Sequence, residues 1–352
     1  MVPGFFFHPR MMEYDFGPRH PLKPVRLART VALLKSVAPE TETYDPGYAE
    51  ERDILRVHTE AYLETVRLGP GASREQLAEA GLGPGDTPAF PKMFEASMAY
   101  CGGAVAAANR LVAGDPLAFN IAGGLHHAHR ERASGFCVFN DPAIALSLLK
   151  GRFNRLLYID IDLHHGDGVQ AIFQEDPDVA TLSIHESGKT LYPGTGFLSE
   201  EGAGGSVVNI PLDAGTTGDV WLWAFREVFL PYADWFRPEA IVLQMGCDAH
   251  TLDPLGHLQV SVQDWLGAVE LVRATGLPVL ACGGGGYEIT NVPRMWVAAI
   301  LTLAGLGVPE GAPEEIPPEW GAGRFLDLPP EAAGYGFATA QSVVQFWKEK
   351  LA

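Results

Sequence analysis

Tyr158-Ile159-Asp160-Ile161-Asp162-Leu163-His164-His165-Gly166-Asp167-Gly168 begins as a strand and ends as a loop punctuated by glycines. Successive strand side chains face opposite ways, so Asp160, Asp162 and His164 project to one side while Ile159, Ile161 and Leu163 go to the other. The aliphatic face marks a buried strand. Two carboxylates and an imidazole carried into that burial are costly unless a cation or hydrogen bonds satisfy them. The purely structural alternative makes Asp160 a loop cap and His164 a hydrogen-bonded core histidine.

Working outward, the run 156–161 is one of five short stretches rich in aliphatic and β-branched residues, with 117–121, 179–184, 240–244 and 278–281. Each reads as a buried strand. Most are followed by helical patterns. The clearest is 261–275, where Val262, Trp265, Leu266, Val269 and Val272 form one apolar stripe. Residues 92–112, 142–149, 219–236 and 292–303 are further helix candidates. This alternation predicts an α/β fold, a mostly parallel sheet covered on both faces, with ligands bound beyond the carboxyl ends of the strands.

The unusual residues fall at those ends. After the 117–121 strand comes Gly123-Gly124-Leu125-His126-His127-Ala128-His129, then Gly135-Phe136-Cys137-Val138-Phe139-Asn140-Asp141. Adjacent histidines do not easily share one metal, but in a loop each can meet its own carboxylate, which fixes its tautomer and raises its basicity. After the 240–244 strand comes Met245-Gly246-Cys247-Asp248-Ala249-His250, continuing to Asp253-Pro254-Leu255-Gly256. Asp248 would complete a three-ligand set with Asp162 and His164 and leave a position open, as catalytic zinc sites do; otherwise it is a helix cap or turn residue. Gly283-Gly284-Gly285-Gly286-Tyr287 follows the last strand. Its glycines allow close backbone approach to a ligand and would aim a phenol into the site, although a flexible turn has the same composition.

Composition narrows the function class. The chain has 352 residues, 47% of them hydrophobic, enough for a large core and too apolar for a disordered protein. Its 25 Lys and Arg against 43 Asp and Glu give a net charge of −18, which argues against a nucleic-acid binder. Four cysteines without a CxxC pair fit a reducing compartment. Phe5-Phe6-Phe7 is too short for a secretory core, and the charge-poor run 295–308 is too short to span a bilayer. The expectation is a cytoplasmic protein without membrane contact.

The four signatures in this order resemble the histone deacetylase family of zinc amidohydrolases, over roughly residues 10–305, and within it the bacterial acetoin-utilisation, class I-like enzymes. Gly17-Pro18-Arg19-His20-Pro21 and the loop around Asp86 also match family segments, and His165-Gly166-Asp167 has an aspartate where acetylpolyamine amidohydrolases usually have asparagine. The resemblance implies a single domain across 1–352 with an arginase/deacetylase fold: an eight-stranded parallel sheet sandwiched between helices. Beyond it, within 306–352, the Pro- and Glu-rich stretch 310–335 reads from its own composition as a segment that wraps the surface before a last helix near 338–350.

It further implies Zn²⁺, or Fe²⁺ in its place, on Asp162, His164 and Asp248. His127 paired with Asp167 would act as general base and acid, His126 paired with Asp160 as electrostatic support, and Tyr287 as oxyanion donor. Gly135, Phe136, Tyr192 and Gly285 would line the substrate channel, with Asp86 at its rim; without the resemblance, Phe136 and Tyr192 read equally as core and Asp86 as a turn residue. A structural K⁺ or Na⁺ would use Asp160, Asp162, His164, Ser183 and Ile184. The implied substrate is an acetylated protein or peptide. The alternatives are an acetylpolyamine or other small amide, or a catalytically silent binder of acyl ligands or metal. The oligomeric state is left open.

Overall fold

The computed structural model describes residues 2–352 apart from 315, 318, 319, 321, 322, 330 and 331. The chain forms α1 (Val25–Val37), α2 (Glu51–Ile54), α3 (Glu60–Leu68), α4 (Arg74–Glu79), α5 (Met93–Val112), β1 (Leu117–Asn120), α6 (Asp141–Leu149), β2 (Leu156–Asp160), α7 (Asp167–Phe173) and β3 (Val179–Glu186). Then follow β4 (Val207–Leu212), α8 (Gly218–Phe236), β5 (Ala240–Gln244), α9 (Val262–Ala274), β6 (Val279–Cys282), α10 (Asn291–Leu303) and α11 (Phe337–Leu351).

The strands join into one parallel sheet in the order β1-β6-β5-β2-β3-β4. Every strand residue is buried, as a sheet covered on both faces requires. Alternation divides the side chains between two cores. Leu157 and Ile159, with Ile161 and Leu163 beyond the strand end, pack among Leu27, Phe225, Trp265 and Trp296 of α1, α8, α9 and α10. Leu156 and Tyr158 pack on the other face with Tyr62, Tyr100, Ile144 and Phe173 of α3, α5, α6 and α7.

Strand order places the site. From β2 the chain moves outward through β3 to the β4 edge, then returns across β2 to β5 and β6. The carboxyl ends of β2 and β5 therefore flank a switch in direction, where an open α/β sheet leaves a crevice. The α9 stripe is buried along its length, and Ser261 caps the helix by accepting from Asp264 N.

The sheet has six strands among the described residues, not the eight implied by family resemblance. On the β1 side, Phe5 makes a single parallel bridge to Phe119, and Phe6 one to Tyr44. The two bridges go to different partners, so no continuous ladder forms on that edge. β4, α7 and the four amino-terminal helices α1–α4 were not predicted. β4 carries Asn209 and Pro211 and lies at the sheet edge, where proline is tolerated, so its apolar pattern is interrupted. The last helix forms as expected and anchors through Trp347, whose Nε1 donates to Asn209 O at 2.8 Å. No helix among the described residues is long and apolar enough to cross a membrane. All four cysteines are buried free thiols.

Candidate metal centre and catalytic pocket

β2 ends at Asp160, and Ile161 N extends the pairing by donating to Gln244 O at 3.2 Å. The chain then curls so that Asp162 and His164 meet Asp248 from the end of β5. Donor atoms of these three residues all lie within 4.8 Å of one another, and all three residues are buried. His164 Nδ1 stands 3.2 Å from Asp162 Oδ1 and 3.1 Å from Asp248 Oδ2.

The carboxylates are held from behind. Asp162 Oδ2 accepts from Gln244 Nε2 and from Gly285 N, each at 2.8 Å, and Asp248 Oδ1 accepts from Leu163 N at 2.8 Å. Two buried tryptophans fix the loop bearing Asp248: Trp265 Nε1 donates to Gly246 O at 2.9 Å and Trp296 Nε1 to Met245 O at 2.8 Å. A methyl group on Gly246 would run into Asp162, and one on Gly285 into Asp248. Glycine is thus required here by close approach to the carboxylates.

The electrostatics suit a cation. Burial raises Asp162, but His126 and His164 outweigh it and hold that carboxyl well below its usual value. Burial and the neighbouring Asp162 charge push Asp248 up to about 7. Burial disfavours charged His164, yet hydrogen bonds to Asp162 and Asp248 raise it to about 10. Two carboxylates forced together in low dielectric draw in positive charge, and without an ion that charge is a proton on His164. Two carboxylate oxygens and one imidazole nitrogen, preoriented and buried, also form a fitting donor set for a divalent transition ion.

Beside them, His126 and His127 face each other, Nε2 to Nε2, at 3.0 Å. His126 Nδ1 lies 2.7 Å from Asp160 Oδ2, an oxygen that also accepts from Tyr158 Oη at 2.7 Å. His127 Nδ1 lies 2.6 Å from Asp167 Oδ1, whose other oxygen meets His129 Nε2 at 3.2 Å. Burial opposes charge on both rings, but Asp160 and Asp162 raise His126 to about 9, whereas burial and the charge of His126 lower His127 to about 4. The pair therefore carries one proton charge, on His126, and leaves His127 neutral at pH 7.

Tyr287 N donates to Asp253 Oδ2 at 2.6 Å, and the Tyr287 ring meets Phe136 edge-on at 5.6 Å. Burial, then the Asp248 and Asp162 charges, raise the phenol well above its ordinary value, so it remains a hydrogen-bond donor. Phe136 sits at φ 68°, an unfavourable conformation for a bulky residue, held by its N–H to Thr87 Oγ1 at 2.9 Å and by Tyr14 Oη on its carbonyl at 2.7 Å. The Tyr192 ring lies 5.0 Å from His127 and 6.3 Å from His164, with its hydroxyl on Ser134. Gly135 lies against the His127 ring, which a methyl group there would strike. Asp86 is exposed on its loop, and its carbonyl accepts from His20 at 2.9 Å.

The structure therefore brings together Asp162, His164, Asp248, His126, His127, Asp160, Asp167, Tyr287, Phe136, Gly135 and Tyr192. Gly285 is partly exposed and lies directly against the two carboxylates. Asp160 and Ser183 are register partners on β2 and β3, followed by Ile184; Ser183 Oγ already pairs with His185 Nδ1 at 2.8 Å. Sequence reasoning missed three supporting residues. Gln244 is a polar side chain ending an aliphatic strand, a signal that was readable. Asp141 accepts from Gly124 N and Leu125 N and so shapes the two-histidine loop; Asn140-Asp141-Pro142 marks a helix start. Asp253, in an Asp-Pro turn, holds the backbone of Tyr287 and of Glu288.

The histone deacetylase domain matches residues 20–303. The acetoin utilization protein AcuC of Bacillus subtilis is 41% identical over 331 residues, covering 90% of this chain and 84% of that protein. Histone deacetylase clr6 of Schizosaccharomyces pombe is 36% identical, covering 88% of this chain and 78% of that protein. Histone deacetylase B of Dictyostelium discoideum is 37% identical, covering 83% and 71% respectively.

Proposed function

The chain belongs to the histone deacetylase family, and on that premise we propose that it is a zinc-dependent amidohydrolase that removes the acetyl group from Nε-acetyl-lysine in protein substrates, releasing acetate. The observation that carries the reading is the convergence of Asp162, His164 and Asp248 at the mouth of β2 and β5, with the paired imidazoles and Tyr287 alongside.

Bound by these three residues, zinc, or Fe²⁺ in its place, would polarise the acetyl carbonyl and acidify water. The chain supplies the rest. His127 donates through Nδ1 to Asp167, so its Nε2 is the atom that takes a proton and later returns it to the departing amine. His126, charged and held by Asp160, supports negative charge developing nearby. Tyr287 donates its hydroxyl to the carbonyl oxygen as charge builds on it. Phe136 and Tyr192, with Gly135 below, wall a narrow passage for the unbranched lysine stem, and exposed Asp86 accepts peptide N–H groups at the rim. The same reading keeps K⁺ or Na⁺ beneath the centre, on carbonyls of Asp162, His164 and Ile184 with Asp160 and Ser183.

Acetate release from an acetyl-lysine peptide, compared with acetylspermidine, tests the substrate class. The peptide is expected to be hydrolysed with the higher kcat/KM. A preference for the polyamine overturns the protein-substrate reading, and bound zinc without acetate release from any acyl-lysine substrate overturns the enzymatic one.

Two further results follow from the centre. Gly285→Ala drives a methyl group into the Asp248 carboxylate and disturbs the amide donating to Asp162. Zinc affinity should fall on the order of 100-fold, the upper end for residues that orient ligands, while the circular dichroism spectrum is retained. Chelator competition reads the affinity. The pH dependence comes from His164, which holds a proton up to about pH 10 without the ion and must lose it to ligate. Above the range in which Asp248 itself titrates, apparent affinity should therefore rise by about tenfold per pH unit between 8 and 9, with about one proton released per ion, as calorimetry in buffers of different ionisation enthalpy would show. A pH-independent affinity would contradict ligation by His164.

A further inference from the structure

We propose that Asp327, in the carboxyl-terminal segment beyond the family match at residues 20–303, is a positioning residue that latches the loop presenting both Asp248 and Tyr287; the proposal rests on the roles assigned to those two residues above. His250 lies two residues after Asp248, and its side chain is fully buried. Leu252 N donates to His250 Nδ1 at 3.1 Å, which leaves the ring proton on Nε2, and Nε2 donates to Asp327 Oδ2 at 2.9 Å. The same oxygen accepts from Val262 N at 2.8 Å, at the start of α9. The other oxygen accepts from Arg294 of α10 at 2.6 Å. Arg294 also donates to Phe325 O at 3.2 Å, and Phe325 is itself fully buried. One carboxylate thus ties the tail to α9, α10 and the imidazole at the middle of the 247–255 loop.

That loop reaches the reaction centre at both ends. Cys247 N donates to Gly285 O at 2.9 Å and is followed by Asp248. Asp253 N donates to His250 O at 2.8 Å, and Asp253 Oδ2 holds Tyr287 N and Glu288 N. Removing Asp327 leaves buried His250 Nε2–H and Arg294 without their carboxylate, a loss that the loop relieves by shifting. Asp248 and the Tyr287 backbone shift with it.

The test compares the full-length chain with Asp327→Ala, Asp327→Asn, and Leu328→Ala, an exposed neighbour. Hydrogen exchange, zinc affinity and steady-state kinetics are the readouts. Asp327→Ala should speed exchange of the 247–255 amides by at least about tenfold and weaken zinc by about 10–100-fold. At saturating zinc it should lower kcat by about tenfold with KM within twofold, the signature of a misplaced transition-state donor. Asp327→Asn keeps an oxygen for His250 and loses the charge facing Arg294, so its values should be intermediate; they carry the test if the alanine variant does not fold. Leu328→Ala should match the parent. An Asp327→Ala or Asp327→Asn chain with parental exchange in 247–255 and parental zinc affinity overturns the latch. A parent chain with a protected loop that binds no zinc, and an Asp327→Ala chain that frees it, would support the latch and sink the functional reading instead.

Discussion

Asp248→Asn is expected to weaken zinc binding by about 10²–10³-fold and to remove acetate release at stoichiometric zinc, without unfolding the protein. A tightly held zinc ion is worth roughly 10–16 kcal/mol, so one of a few ligands accounts for about 3–4 kcal/mol, which sets that factor. Asparagine keeps the shape and an oxygen to accept from Leu163 N. It removes the charge that, beside Asp162, makes the centre attract cations. In the ion-free state the exchange relieves a buried repulsion, so thermal stability should not fall. Metal content after dialysis against buffered zinc, with a thermal melt on the same sample, checks both statements. Parental zinc binding by this variant would remove Asp248 from the ligand set.

Tyr287→Phe is expected to lower kcat by about 10²–10³-fold and to change KM by less than about threefold. Removing one preorganised donor to a developing oxyanion costs about 2.7–4 kcal/mol in transition-state stabilisation. Phenylalanine preserves the edge contact with Phe136 and leaves the backbone bond to Asp253 untouched, so the pocket keeps its shape. Because the phenol titrates well above its ordinary range, the hydroxyl is a donor throughout the working pH. Steady-state kinetics on an acetyl-lysine peptide give the split. A loss carried mainly by KM would make Tyr287 a binding residue instead.

The fold was legible where burial imposed a simple pattern. β2, β3 and β5 are fully buried aliphatic runs, and the α9 stripe has a helical period that no strand would produce. β4 was hidden because an edge strand tolerates Asn209 and Pro211, residues that break the same pattern. The strand count failed for a related reason: whether Phe5–Phe7 extends the sheet depends on how far its backbone can run beside β1, which composition does not encode.

The chemistry-bearing residues stood out because polar side chains at the ends of apolar strands need partners. Of those that hold them in place, Gln244 gave the same signal and the others did not. Asp141 and Asp253 look like ordinary helix-start and turn residues, and their importance lies in which distant backbone amides they accept from. Asp327 lies in a Pro- and Glu-rich stretch with no pattern, and only the folded chain brings it to His250.

Zinc K-edge absorption on the zinc-loaded full-length chain, followed by a crystal structure of that complex, tests the central claim most directly. The account predicts a single ion held by one oxygen each from Asp162 and Asp248 and by a nitrogen of His164, at about 2.0–2.2 Å, with room for a further ligand. An ion seated elsewhere, or metal-stripped protein that releases acetate at the full rate, would contradict it.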